Sequence, residues 1–173
     1  MYKDDSQVRF YKVDSESELI ELCTRNNAIL LGREAEGKRK YYLIEMQYQE
    51  FIRVVGLVNE GHGIEPHVAI LRNNDSAIIA SDKSVYIINL GDLKISSHLL
   101  CNSIVYDVFH DLANGNRIII ICELEVRCIS SKGELLWKHD SDVITDYKLH
   151  SDFIELSTDD DKVNISLLSG QVL

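Results

Sequence analysis

An all-β protein is predicted here, an array of antiparallel four-stranded sheets with one short N-terminal helix. Three observations predict it. Short runs rich in Val, Ile, Leu and Tyr recur at even spacing, separated by turns rich in Asn, Asp and Gly. Residues 126–140, VRCISSKGELLWKHD, read as a strand, a tight turn and a second strand holding the only Trp. Related stretches occur at residues 85–99, VYIINLGDLKISSHL, and 163–173, VNISLLSGQVL, with glycines at Gly91, Gly133 and Gly170. Self-similarity at a period of about forty residues marks a repeat architecture.

Taken in order, residues 7–13 alternate as a strand. Residues 14–23 then change period: Leu19, Ile20 and Cys23 lie at helical spacing, and Ser15 followed by Glu18 forms a capping box, predicting a helix from Glu16 to Arg25. Asn26 and Asn27 break it, and residues 28–31 form a short strand. Residues 34–40, EAEGKRK, read as a polar loop turning at Gly37. Residues 41–48 and 51–58 follow as two strands around Gln49 and Glu50. The segment 59–65, NEGHGIE, abuts the sole proline, Pro66, and reads as a linker.

From Pro66 onward the pattern is uniform. Strands are expected at 67–71, 76–81, 85–90 and 93–100, then at 104–110, 117–122, 125–130 and 134–138. The third set is 143–149, 153–157, 163–168 and 171–173. Turn clusters at residues 73–75, 114–116 and 159–161 separate them. Four short antiparallel strands per repeat is the pattern of a propeller blade. The organisation expected is an N-terminal part, residues 1–65, packed on three repeats at about 66–103, 104–142 and 143–173, all within one structural domain. Closed propellers need at least about four blades, so an open or partial array is expected.

Ser131-Lys132-Gly133-Glu134-Leu135-Leu136-Trp137 resembles the turn and last strand of a PQQ-like (quinoprotein-type) propeller repeat. Residues 168–173 are similar but stop before a tryptophan. Lys132 stands where that repeat usually has Thr, and Ile129 and Ser166 stand where it often has Asp. The resemblance implies a scaffold and carries no quinone chemistry.

The net charge is −10, and the excess concentrates after residue 139, in Asp140, Asp142, Asp146, Asp152, Glu155, Asp159, Asp160 and Asp161 against Lys148 and Lys162. Nucleic-acid affinity comes mainly from Lys and Arg displacing counterions, so direct nucleic-acid or anionic-membrane binding is disfavoured. A basic protein partner is the natural complement. The four cysteines, Cys23, Cys101, Cys122 and Cys128, contain no CxxC pair, which disfavours zinc ribbons and redox motifs. Free thiols and an N-terminus without an apolar core point to a cytoplasmic setting.

Candidate chemistry is thin. His62, Glu65 and His67 offer a partial metal set on a loop, without the fixed helical spacing of HExxH. Solvated loop histidines are the default reading, so no metal and no cofactor are expected. The HD dipeptides at His110 and His139 fall on strand ends, and no GxSxG elbow occurs. Asp140, Asp142 and the run Asp159–Asp160–Asp161 lack EF-hand spacing and read as acidic turns. Tyr41, Tyr42 and Tyr48 are expected to be half-buried on a sheet, and Trp137 to be blade core.

With no active site assembled, a non-catalytic binding protein is expected. Small size, acidity and a degenerate partial propeller together resemble, by type, immunity proteins of bacterial contact-dependent inhibition systems. That resemblance implies masking of a basic, nuclease-type toxin domain. Its contact residues would be Asp140, Asp142, Asp159, Asp160 and Asp161, with Glu60 and Glu65. The alternatives are an adaptor or scaffold subunit of a larger complex, and an enzyme using His62, Glu65 and His67.

Overall fold

The structure is a computed structural model, described over residues 8–33, 37–71, 75–111 and 117–173. Gln7, the start of the 34–40 loop, and the turns expected at 73–74 and 114–116 lie outside the described residues. Fifteen strands and one helix are present in it: β1 (Val8–Val13), α1 (Glu16–Arg25), β2 (Ile29–Leu31), β3 (Lys40–Tyr48) and β4 (Phe51–Asn59) come first. Then come β5 (His67–Leu71), β6 (Ser76–Ser81), β7 (Ser84–Asn89) and β8 (Ile95–Leu100), which we call blade A. Blade B is β9 (Val105–Asp111), β10 (Arg117–Cys122), β11 (Glu125–Ser130) and β12 (Leu135–Asp140). Blade C is β13 (Asp146–Leu149), β14 (Phe153–Ser157) and β15 (Lys162–Ser166).

Blades A and B are meanders in sequential order, with every neighbouring pair antiparallel. Blade C keeps three strands; its expected fourth, residues 171–173, is reduced to the single bridge Ile165–Val172. The N-terminal sheet departs from the meander. Its order is β1-β3-β4-β2, and β2 runs parallel to β4 after the α1 crossover.

The inner strands β6 and β10 are apolar on both faces because blades A and B each lie between two neighbouring sheets. Along β6, Ile79 faces the layer shared with the N-terminal sheet (Tyr42, Ile44, Leu57), while Ile78 faces the layer shared with blade B. Along β10, Ile118 and Ile120 face blade A, and Ile119 and Ile121 face blade C. The period-two alternation of a strand thus assigns each side chain to one of two layers. Tyr42, expected to be half-buried, is 1% exposed within the first of these layers.

The core clusters join consecutive sheets only, so the array is open among the described residues. Each end is finished differently. At the first end, Leu19 and Cys23 of α1 cover Leu43, Val54 and Val58 of the N-terminal sheet. That helix starts at Ser15, whose hydroxyl accepts from the Glu18 N–H at 3.2 Å. At the other end, the outward face of blade C carries Glu155, which lies 3.3 Å from Lys162 Nζ, and a stacked His150–Phe153 pair.

The recurring turn also has a physical account. Asn89, Ser130 and Ser166 each donate a backbone N–H across the turn, to Lys94, Glu134 and Gln171 respectively. Their side-chain oxygens accept the turn's own N–H groups: Gly91 and Asp92, Lys132 and Glu134, Leu168 and Ser169. Ser130, not Ile129, therefore fills the polar role in blade B. Gly133 and Gly170 have positive φ, and each turn lies on the last strand of the preceding sheet. A Cβ on Gly170 would sit 2.6 Å from the Trp137 ring, and one on Gly133 would overlap Ser97. Trp137 accordingly bridges blades B and C, donating from Nε1 to the Leu167 carbonyl at 3.1 Å. In blade A the left-handed position falls to Leu93 rather than Gly91.

Candidate protein-binding face

Antiparallel meanders bring two kinds of loop to one end of the array: the hairpin between the second and third strands, and the connection from each sheet to the next. Hydrogen bonds chain these loops together. Asn59, 1% exposed, donates to Ser81 Oγ at 3.0 Å, and the Glu60 N–H donates to Asp82 Oδ2 at 2.8 Å. The Asn102 N–H donates to Glu125 Oε1 at 2.8 Å, and the Leu124 N–H to Ser103 Oγ at 2.9 Å. The Ser141 and Ile144 N–H groups donate to the Leu124 and Glu123 carbonyls, and the Thr145 N–H to Ser157. The sheet-to-sheet connections are thereby fastened to the hairpins beside them.

All seven acidic residues expected to meet a partner belong to this end. Asp140 and Asp142 flank the connection from blade B to blade C, and Asp159, Asp160 and Asp161 form the blade C hairpin. That hairpin is closed by Thr158, which accepts the Asp161 N–H at 3.1 Å. All five are exposed, and Asp142, Asp159, Asp160 and Asp161 have no ion pair among the described residues. Asp140 is shared with Lys138 at 2.6 Å. Glu65 is paired with Lys12 of β1 at 3.0 Å, which holds its carboxyl below the usual range through that hydrogen bond and charge. Glu60 meets His62 Nε2 at 2.7 Å.

The set His62, Glu65 and His67 is not brought together. His62 instead converges with Glu60 and Asp82, their ligand atoms within 4.8 Å of one another. These three could hold a divalent cation. Burial pushes the Asp82 carboxyl up and the neighbouring Glu60 charge adds to it, against the Glu60 N–H, the Ser81 hydroxyl and the His62 charge. His67 goes elsewhere: its Nδ1 lies 3.1 Å from Asp107 Oδ1, and the Tyr147 hydroxyl donates to Asp107 Oδ2 at 3.0 Å. His67, Asp107 and Tyr147 sit forty residues apart on the first strands of blades A, B and C and link all three. Burial pushes the Asp107 carboxyl up. The His67, Val108 N–H and Tyr147 contacts outweigh it and hold the group below its ordinary value.

Sequence reasoning also missed Glu125, the one acid of this end that is fully buried. Its carboxylate accepts from the Asn102 N–H and Nδ2, from Arg127 at 2.7 Å and from Lys138 at 3.2 Å. Burial raises this carboxyl, and the Asn102 N–H, Arg127 and Lys138 together carry it below its ordinary value. The signal was present in the strand EVRCIS: Glu125 and Arg127 alternate onto one face, and Arg127 is in register with Lys138.

No protein-family model matches the chain, the PQQ-like repeat included, and no curated protein matches it. Solved structures do. Hsv2 of Kluyveromyces marxianus, a β-propeller protein, aligns at 15% identity and a TM-score of 0.38, over 62% of this chain and 36% of that one. Kluyveromyces lactis Hsv2 aligns at 18% identity and a TM-score of 0.37, over 61% and 34%. The chain spans about a third of the length of these structures. No helix among the described residues is long and apolar enough to cross a membrane.

Proposed function

We propose that this chain is a non-catalytic binding module that docks a basic protein on its acidic loop end, and specifically that it is an immunity protein masking a nuclease-type toxin. One observation carries the reading: Asp142, Asp159, Asp160 and Asp161 stand exposed and without counter-charges on adjoining loops of a hydrogen-bonded frame. Like charges held close raise one another's energy, and a cationic partner relieves that cost. Such a field also steers encounter and speeds association at low salt. An enzyme that grips a phosphate backbone needs a Lys- and Arg-lined groove, and an acidic rigid surface is complementary to it.

The test is capture on the immobilised chain from a lysate of the native host, eluted with a salt gradient and identified by mass spectrometry. The expected result is one small basic nuclease, released by salt, whose toxicity co-expression of this chain relieves. Capture unaffected by Asp142→Lys, Asp159→Lys and Asp160→Lys together would overturn the docking face. Capture of a basic protein without nuclease activity would keep the face and remove the immunity reading.

A scaffold subunit is the second reading, favoured by the outermost strands. Ile95 and Leu100 on β8, and Leu135 and Leu136 on β12, are exposed apolar residues on open strand edges. That reading expects several subunits that stay bound through the salt gradient.

A further inference from the structure

We propose that Cys101 and Cys122 form a peroxide-oxidisable pair that closes to a reversible disulfide stapling blade A to blade B. Cys101 directly follows β8 of blade A, and Cys122 ends β10 of blade B. Their sulfurs and a Glu125 carboxylate oxygen lie within 4.8 Å of one another. Both thiols are buried and free, and both line the layer shared by the two blades. Cys101 adjoins two exposed residues, Leu100 and Asn102, so solvent lies one residue away along the chain on either side.

The surroundings distinguish the two sulfurs. Its hydrogen bond with Cys122 pulls the Cys101 thiol down against burial; the Arg127 charge helps, and the Glu125 charge opposes it. The same contact, with burial, pushes Cys122 up. Arg127 is anchored by Glu125 and by the Leu100 carbonyl, at 3.1 Å, and its Nε–H is buried without a partner. A cation beside a thiol favours the thiolate, which is the nucleophilic form. Metal capture is the poorer use of this cluster. Glu125 already accepts from four donors, and two of its partners, Arg127 and Lys138, are cations that a metal ion would have to face.

The chemistry balances in two steps. The Cys101 thiolate attacks one oxygen of hydrogen peroxide, the O–O bond breaks, and hydroxide leaves and takes up a proton as water. Cys122 sulfur then attacks the sulfenic sulfur of Cys101; the S–S bond forms, the S–O bond breaks, and the lost thiol proton leaves with the hydroxyl as water. Two thiols are oxidised by two electrons, and peroxide is reduced to two waters.

Cys23 and Cys128 are internal controls, because they are buried in two other layers. The experiment exposes the folded chain to hydrogen peroxide, then unfolds it and counts thiols with N-ethylmaleimide. The expected count falls from four to two, digestion yields one cross-linked peptide pair holding Cys101 and Cys122, and dithiothreitol restores all four. The Cys23→Ser/Cys128→Ser variant should lose both its thiols in the same way. Four surviving thiols, a cross-link through Cys23 or Cys128, or oxygen added to Cys101 without a cross-link would each overturn the proposal. Peptide mapping of the unmodified sequence decides it even where a variant fails to fold.

Discussion

The two ends of the sheets are built from similar turn chemistry and put it to opposite use. At one end, the turns after Asn89, Ser130 and Ser166 sit against the preceding sheet. Arg53 grips the Gly91 carbonyl, Gly133 lies on Ser97, and Trp137 covers Gly170. At the other end, backbone N–H groups supply most of the donors between neighbouring loops, and Asp142, Asp159, Asp160 and Asp161 stay exposed. Where stacking consumes the side chains, their identity is fixed by fit. Where the backbone does the joining, charge can accumulate without disturbing the fold.

Glu125 is the test that could break the comparison most severely, because it belongs to the acidic end yet is buried like a core residue. Glu125→Ala removes the buried acceptor shared by Arg127, Lys138 and the Asn102 N–H, leaving Lys138 with Asp140 and Arg127 with the Leu100 carbonyl, and should cost about 3–5 kcal/mol in denaturant unfolding. A cost under about 1 kcal/mol would mean that the four bonds to this carboxylate contribute little.

Glycine replacement separates the ends next. Gly170 and Gly63 both have positive φ, but only Gly170 faces a neighbour; nothing lies within 4 Å of a Cβ on Gly63. Gly63→Ala should cost about 1 kcal/mol, the backbone term alone. Gly170→Ala should add about 1–3 kcal/mol of overpacking to that. Equal costs in parallel unfolding curves would show that the Trp137 contact does not constrain the turn.

Acid titration sharpens the contrast in sign. Asp107 and Glu125 have carboxyls held below their unfolded values, so their stabilisation is complete above those values and is lost as pH falls through the folded ones. Asp82 is shifted the other way, so its contribution is present at low pH and lost as pH rises through its folded value. Asp82→Asn should therefore leave stability at neutral pH unchanged or slightly higher, and flatten the curve just above the ordinary carboxylate range. A shallower acid loss in that variant would reverse the assignment.

The smallest effect on stability is expected where the effect on binding is largest. Asp142→Lys, Asp159→Lys and Asp160→Lys, taken singly, should each shift unfolding by no more than about 0.5 kcal/mol. Their association with a basic partner should slow, and its salt dependence flatten.

Much of this was legible in the sequence. The helix at Glu16–Arg25 follows from Ser15 and the Leu19–Cys23 spacing, and the strands of blades A and B follow from their apolar runs. What stayed hidden has physical reasons. The three residues ILL of β2 carry no sign of direction, so its parallel pairing with β4 depends on the α1 crossover. Gly91 looked like the partner of Gly133, but the turn of blade A bends at Leu93, whose side chain is drawn into the core. The acidic loops were visible as composition. Their gathering at one end needed the strand order, and the links His67–Asp107–Tyr147 and Glu125–Arg127–Lys138 needed contacts between strands.

The core is divided into separate layers, each owned jointly by two neighbouring sheets. Cooperativity in such a stack passes only between nearest neighbours. Loss of blade C strips one face of blade B and leaves the layer between the N-terminal sheet and blade A untouched. Amide exchange should accordingly be slowest in β6 and β10, which have neighbours on both sides, and fastest in β13 to β15. The molecule is expected to fray from its last sheet inward, so a partly melted form still presents the 59–66 linker and the Asp82 hairpin after the Asp159–Asp161 loop has gone.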